Sequence, residues 1–113
     1  MNSIPAVVMM LLIHPAAAVI IQSVILPATP IGLVAEAVTD TEVVLRWDRV
    51  GASDSAFTIS RSKGGGAFMV LATLRGGYNL FIDTSCYPST EYTYQVTAHS
   101  AAGSSAPTQP FNP

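Results

Sequence analysis

The chain has 113 residues, which suits a single domain, and half of them are hydrophobic. Its formal net charge is −2, and its five basic residues are interspersed with seven acidic ones. Nucleic-acid binding and a polybasic membrane patch both need clustered Lys and Arg, so this charge pattern argues against both. One Cys excludes an internal disulfide, and one Cys with two His cannot supply a typical four-ligand zinc site, so no metal or cofactor is expected.

The N-terminal part of the chain carries no charged residue before Glu36. Residues 4–26 form two apolar runs, 4–13 and 16–26, separated by His14-Pro15 and followed by Pro27 and Pro30. We interpret residues 1–29 as an apolar arm and residues 30–113 as the folded domain. Helix and strand propensities do not decide the conformation of the arm. The apolar arm residues expected to make its contacts are Ile4, Val7, Val8, Leu11, Leu12, Ile13, Val19, Ile20, Ile21, Val24, Ile25 and Leu26.

Three interpretations of the arm are open. As a helix, residues 4–26 would measure about 35 Å and could cross a bilayer core of about 30 Å, but Pro15 lies in the middle and no Lys or Arg flanks either end. As a secretory signal, the arm would have residues 6–13 as its apolar region and residues 16–18 as its cleavage site, without the usual charged start. If the arm is retained, its apolar surface must be buried, and two extended runs joined by a turn at His14-Pro15 would suit contacts with other subunits. We favour this third interpretation.

From Pro30 onward the hydrophobic pattern has a period of two. Val43, Leu45 and Trp47 alternate with a mostly polar row, and the same alternation recurs in residues 57–60 and 92–99. Turn-forming residues separate these runs, including Gly64-Gly65-Gly66, which we predict to be a hairpin turn. Short strands separated by frequent turns predict an all-β antiparallel sandwich.

Four motifs in residues 30–109 make the prediction of a sandwich more specific. In chain order they are Pro30-x-x-Leu33, Val43-x-Leu45-x-Trp47, Phe57-x-Ile59-x-Arg61-Ser62 and Pro88-x-Thr90-x-Tyr92-x-Tyr94-x-Val96-x-Ala98. By their order and spacing, residues 30–109 resemble a fibronectin type III domain of the immunoglobulin-like superfamily. The resemblance implies a seven-stranded antiparallel sandwich, with Trp47 in the core and the Tyr92 hydroxyl bonded back to the chain before the sixth strand. Phe57 stands where the family often has Tyr, and Cys86 where it often has Leu.

The resemblance also assigns structural roles to residues that would otherwise suggest chemistry. Cys86 is expected to fill a buried apolar position and not to act as a reactive thiol. No Gly-x-Ser-x-Gly elbow or comparable nucleophile signature occurs, so we do not expect an enzyme. The predicted core comprises Leu33, Val43, Leu45, Trp47, Phe57, Ile59, Cys86, Tyr92, Tyr94 and Val96.

Domains of this family mostly bind partners through end loops or sheet edges. The candidate loops at one end are residues 49–55, 74–78 and 98–104, and the candidate partner-binding residues in them are Arg49, Asp54, Arg75, Tyr78 and His99. We expect a non-enzymatic display module that the arm ties to other protein subunits, as a head-decoration, fibre or tail component of a virion or another extracellular surface assembly. The alternatives are a membrane-anchored adhesion module at the cell surface, and a glycan-binding accessory domain of a secreted system.

Overall fold

The computed structural model describes residues 7–13, 19–49, 51 and 54–113. Within these ranges the secondary structure is entirely β. The strands are β1 (Val7–Ile13), β2 (Val19–Ile25), β3 (Ile31–Ala37), β4 (Val43–Asp48), β5 (Ala56–Lys63), β6 (Met69–Arg75), β7 (Leu80–Asp83), β8 (Tyr92–Ser100) and β9 (Gly103–Ser104). They form three antiparallel sheets, ordered β1-β2, β3-β4-β7 and β6-β5-β8-β9. The second and third sheets pack face to face and confirm the predicted seven-stranded sandwich.

The core lies between these two sheets because alternate residues of each central strand point inward. In β4 the inward row is Val43, Leu45 and Trp47, and the residues between them are more exposed. Phe57 and Ile59 of β5 are fully buried opposite this row, and the rings of Trp47 and Phe57 pack 5.6 Å apart at 58°. All the predicted core residues are buried except Leu33, which is partly buried against the cluster.

The turn before β8 contains the tyrosine contact that the resemblance implies. The backbone N–H of Tyr87 donates a 2.8 Å hydrogen bond to the hydroxyl of Tyr92. Ser89, between them in the chain, adopts a left-handed backbone with φ of 54°. The bond links the start of β8 to the chain that enters it, as in other sandwiches of this class.

After β9 the chain continues along β8 as an irregular edge. Ser105, Thr108 and Phe111 each bond to the β8 backbone, through Ala98, Val96 and Tyr94 respectively. Thr108 also accepts the N–H of Val96 on its hydroxyl, at 3.1 Å. This side of the four-stranded sheet is therefore closed as far as Phe111.

The apolar arm forms a β-hairpin. β1 and β2 pair in continuous antiparallel register from Val7↔Ile25 to Ile13↔Val19. This resolves the choice between helix and strand in favour of strand. The predicted turn at His14-Pro15 and the predicted contact residue Ile4 lie outside the described residues.

The hairpin projects from the sandwich. In the part of the chain that the structure describes, β1 and β2 lie beside each other and beside no other strand. The molecule measures 67 Å along its longest axis but only 26 and 23 Å across it, and its radius of gyration is 17.9 Å. A compact chain of about 100 residues has a radius of gyration near ~13 Å, so the excess reflects the projecting hairpin.

Candidate functional site

The three loops proposed for partner binding meet at one end of the sandwich, and Ser55 connects them. Its N–H donates to the carbonyl of His99 at 2.7 Å, and its own carbonyl accepts the N–H of Gly76 at 2.8 Å. The Ser55 hydroxyl adds a 3.3 Å bond to the His99 carbonyl. The loops that follow β4 and β6 are therefore joined by backbone bonds to each other and to the end of β8, and relative movement between these segments would break the bonds.

Two of the loops are shorter than the sequence indicated. Leu74 and Arg75 belong to β6, where Arg75 pairs with Ala56. Residues 98–100 belong to β8, and Gly103 and Ser104 form β9, where His99 pairs with Ser104. Only residues 76–79 and 101–102 are loop, because strand pairing extends almost to the tips.

The five candidate residues differ in how accessible they are. Both ring nitrogens of His99 are engaged, Nε2 with the Thr58 hydroxyl at 2.6 Å and Nδ1 with the Ser104 hydroxyl at 2.7 Å. His99 is therefore held as part of the sheet. Asp54 is half-buried, whereas Arg49, Arg75 and Tyr78 are exposed, Tyr78 by 59%. These three residues are the part of the set that a partner could reach.

The arm leaves the sandwich from the same end. Leu26, just after β2, packs against Gly103 so closely that a Cβ on this glycine would lie 2.8 Å from Leu26 Cδ2. The Thr29 hydroxyl donates a 3.0 Å bond to the carbonyl of Ala106. The base of the hairpin therefore lies against the β8–β9 turn, at the end of the sandwich that carries the candidate loops.

A polar cluster, which we name the Asp83 cluster (Arg61, Asp83, Ser85, Cys86 and Tyr94), surrounds the buried Asp83 carboxylate towards the opposite end. Arg61 Nη1 lies 2.8 Å from Asp83 Oδ2, and the Tyr94 hydroxyl donates to the same oxygen at 2.7 Å. The backbone N–H and the hydroxyl of Ser85 both donate to Oδ1. Each oxygen of this carboxylate thus accepts at least two hydrogen bonds, and a buried charge requires such partners.

The hydrogen bonds set the charge state of the Asp83 cluster. Burial alone would raise the pKa of the Asp83 carboxyl, but hydrogen bonds from Ser85, Tyr94 and Arg61 outweigh it and hold that pKa well below its ordinary value of 3.8. Burial raises the pKa of the Cys86 thiol and of the Tyr94 hydroxyl, so both stay protonated. A protonated, buried thiol is a poor nucleophile, and the cluster is suited to holding the two sheets together.

Sequence reasoning did not identify Asp83, because period-two alternation treats an inward strand position as apolar. Asp83 follows Phe81 by two residues, so the two lie on the same face of the strand, and Phe81 is partly buried against the core. This spacing is the sequence feature that indicates an inward position for Asp83. Arg61, quoted only as part of a motif, is its partner.

The described residues hold no group of three His, Cys, Asp or Glu side chains placed to share a metal ion. Nor does this part of the chain contain a helix of the length and hydrophobicity needed to cross a membrane.

Two antiparallel sheets of this order, closed by the tyrosine contact before β8, define an immunoglobulin-like β-sandwich. The family model for the fibronectin type III domain matches residues 28–113, and the chain belongs to this family. Fibronectin type III domains are structural and interaction modules that mediate protein–protein contacts and are generally non-catalytic.

Solved structures show the same fold. The FN1–FN3 domains of chicken CNTN1 match with a TM-score of 0.70 and 16% identity, over 83% of this chain and 35% of that one. A Fn3-like protein from Clostridium thermocellum matches with a TM-score of 0.64 and 27% identity, over 74% of this chain and 88% of that one.

A structure of titin kinase and its flanking domains matches with a TM-score of 0.66 and 20% identity, over 74% of this chain. The chain spans only 16% of the titin chain, so that likeness concerns one domain of a larger protein. Comparison with curated proteins gave no match.

Proposed function

We propose that this protein is a non-enzymatic structural module whose β1–β2 hairpin ties the fibronectin type III domain into a multi-subunit assembly. The observation that carries the proposal is the hairpin itself. It is an uncharged ribbon that projects from a domain whose own core is already complete.

The register of the hairpin places apolar residues on both of its faces. Directly paired residues of an antiparallel ribbon share a face, so Met9 and Ser23 lie on one face and Met10 and Gln22 on the other. Apart from Ser23 and Gln22, every residue of β1 and β2 is apolar. A ribbon with two apolar faces has no side suited to water, in contrast to the strands of the sandwich.

The hairpin also has two open edges in the described structure, since neither strand pairs with a third. An isolated two-stranded hairpin is marginally stable in water, and further strands or a packed face are needed to stabilise it. Other subunits would supply both the strands and the apolar cover.

The setting we propose is a virion, with the protein as a head-decoration, fibre or tail component. Because the hairpin and the candidate loops share one end, the opposite end of the sandwich would face outward. That end carries the turns before β4, β6 and β8, including exposed Tyr87. Recognition of an external ligand would then fall to these turns.

Removal of the arm tests this function. All the residues of the core cluster lie between Leu33 and Phe111, so a chain lacking residues 1–27 is expected to unfold cooperatively and to sediment as a monomer. The full chain should sediment as larger species that the truncated chain cannot join. If the truncated chain enters these species as efficiently as the full chain, the arm is not the assembly element.

Three further measurements separate the alternatives. Flotation of the full chain with liposomes, lost on truncation, would indicate a membrane anchor and contradict subunit assembly. An intact mass showing that the native protein starts after residues 16–18 would identify the arm as a removed signal. A glycan array probed with the truncated domain tests the carbohydrate-binding alternative.

A further inference from the structure

One edge of the sandwich begins with an exposed apolar segment. β6 is an end strand of the four-stranded sheet. Phe68, just before it, is 39% exposed, and Met69 and Val70 at its start are 73% and 68% exposed. Residues 64–74 include no charged residue and no proline. A long, uncharged, apolar edge is a template for pairing with another strand.

The other edges of the described sandwich are protected. β3 carries Glu36 and an irregular register between Ile31 and Val34, and β7 has four residues and ends at Asp83. The segment after β9 contains Pro107 and Pro110, which cannot donate to a neighbouring strand. The β6 edge has one bulge, at Leu71, which lies between the residues that pair with Ile59 and Ser60, and a charge only at its last residue, Arg75.

We infer that the β6 edge is the docking site for the β1–β2 hairpin of a second copy of this chain. This inference rests on the function proposed above. β1, β2 and β6 are each seven residues long, so a hairpin strand matches this edge in length. None of residues 7–13, 19–25 and 69–74 is charged, so the pairing opposes no like charges.

The hairpin cannot reach this edge within its own molecule as the structure stands. Its base at Leu26 packs on Gly103 of β9, and β9 and β6 are at opposite sides of the four-stranded sheet. The exposed part of β6 also lies at the other end, since Met69 pairs with Arg61 of the Asp83 cluster while Arg75 lies beside the loop end. Donor and acceptor thus lie at opposite ends and opposite sides of one chain.

A contact of this kind is heterologous, because a hairpin on one copy meets a different surface on the next. Repeating such a contact gives a ring if the rotation closes and an open filament if it does not. Main-chain hydrogen bonds along β6 would supply affinity, as in other cases of strand addition. Each copy of the chain would then be a donor through its hairpin and an acceptor through its β6 edge.

The first test places a charge on the acceptor edge of the full chain. Val70→Lys should raise the protein concentration needed for self-association at least tenfold in sedimentation velocity, because an edge lysine opposes strand pairing. The control is Val34→Lys, at a residue 51% exposed on β3, which should leave self-association unchanged. Thermal unfolding of both variants verifies that the sandwich remains folded.

The second test mixes two defective chains. Full-length Val70→Lys keeps the hairpin but lacks the acceptor edge, and the chain without residues 1–27 keeps the edge but lacks the hairpin. Each should sediment as a monomer alone, and together they should form a one-to-one dimer that does not grow further. This complementation is the result expected only of a hairpin-to-edge contact.

Other outcomes overturn the inference in distinguishable ways. If Val70→Lys associates like the unmodified chain while truncation abolishes association, the hairpin assembles elsewhere and the proposed function survives. If the truncated chain itself associates and Val70→Lys abolishes this, β6 pairs with β6 of another copy, and the hairpin is not the occupant. A full chain that stays monomeric at all concentrations contradicts both proposals.

Discussion

The strongest single-residue constraint in this sandwich is the buried carboxylate of Asp83. It is 2% exposed and accepts hydrogen bonds from Arg61, Tyr94 and Ser85. A buried ion pair contributes little net stability compared with a well-packed apolar substitute, but removing one partner leaves the other uncompensated. Loss of Asp83 is therefore expected to lower the free energy of unfolding, even though the intact ion pair adds little to it.

We predict that Asp83→Asn lowers the free energy of unfolding at pH 7 by roughly 3 kcal/mol, because Arg61 then loses its anionic partner. Urea denaturation of the truncated or full chain measures this. The matched control is Asp40→Asn, at an exposed residue of the turn after β3, which should change the unfolding free energy by less than about 0.5 kcal/mol. Equal effects at the two positions would contradict the role given to the Asp83 cluster.

The Asp83 carboxyl also makes the free energy of unfolding depend on pH in the acid range. Its pKa in the folded state is below the value of about 3.9 expected when unfolded, so its charge stabilises the fold fully above that pH. The stabilisation is lost as the pH falls below about 4 and the unfolded chain takes up the proton first. The unfolding free energy of Asp83→Asn should therefore depend less on pH in this range than that of the unmodified chain.

At the level of single residues, period-two alternation predicts burial well in central strands and poorly where a strand buries a charged side chain. Val43, Leu45, Trp47, Phe57 and Ile59 follow the period of two in strands that have neighbours on both sides. Asp83 breaks the rule because Arg61 of β5 and Tyr94 of β8 donate to its carboxylate, and no local sequence pattern reveals these two contacts. Tertiary contacts decided that position.

At the level of elements, the loop after β6 depends on one close approach of two backbones. A Cβ on Gly76 would overlap the carbonyl oxygen of Asp54, so only a residue without a Cβ fits beside the loop after β4. The hydrogen bond from Gly76 N–H to Ser55 holds the two segments at this distance. The convergence of the candidate loops therefore depends on this glycine.

We expect Gly76→Ala to destabilise the domain by about 3 kcal/mol, because backbone must move to relieve the overlap. Gly64→Ala is the control: Gly64 has a φ of +58° but open space around it, so the cost there is limited to the left-handed conformation, about 1 kcal/mol. Thermal unfolding of both variants measures the difference. A smaller loss at Gly76 than at Gly64 would contradict the close packing of the two loops.

The elements that the sequence did not define are the ones without a repeating pattern. β6 contains a run of apolar residues with a bulge in its pairing, and β7 has only four residues, so neither shows a clear alternation. The arm has few polar residues, so it offers little of the contrast that separates a helical period from a strand period. Its hairpin becomes evident only from the pairing of β1 with β2.

At the scale of the whole molecule, the protein consists of a sandwich domain with a complete core and a hairpin whose two edges are open. The sandwich encloses its core and pairs most of its strands, whereas the hairpin extends an uncharged surface beyond it. Because the hairpin leaves the sandwich at the end that carries the candidate loops, assembly and partner binding by these loops would use the same end. This arrangement favours a role in which the domain is built into a larger structure by that end.

Amide hydrogen exchange on the full chain, read by mass spectrometry in its assembled form, tests this claim most directly. If the hairpin is the buried assembly element, amides of residues 7–13 and 19–25 should exchange as slowly as those of the central strands β5 and β8. In material dissociated by dilution, hairpin protection should fall by orders of magnitude while sandwich protection persists. Rapid exchange of the hairpin within intact assemblies, alongside a protected sandwich, would contradict the account.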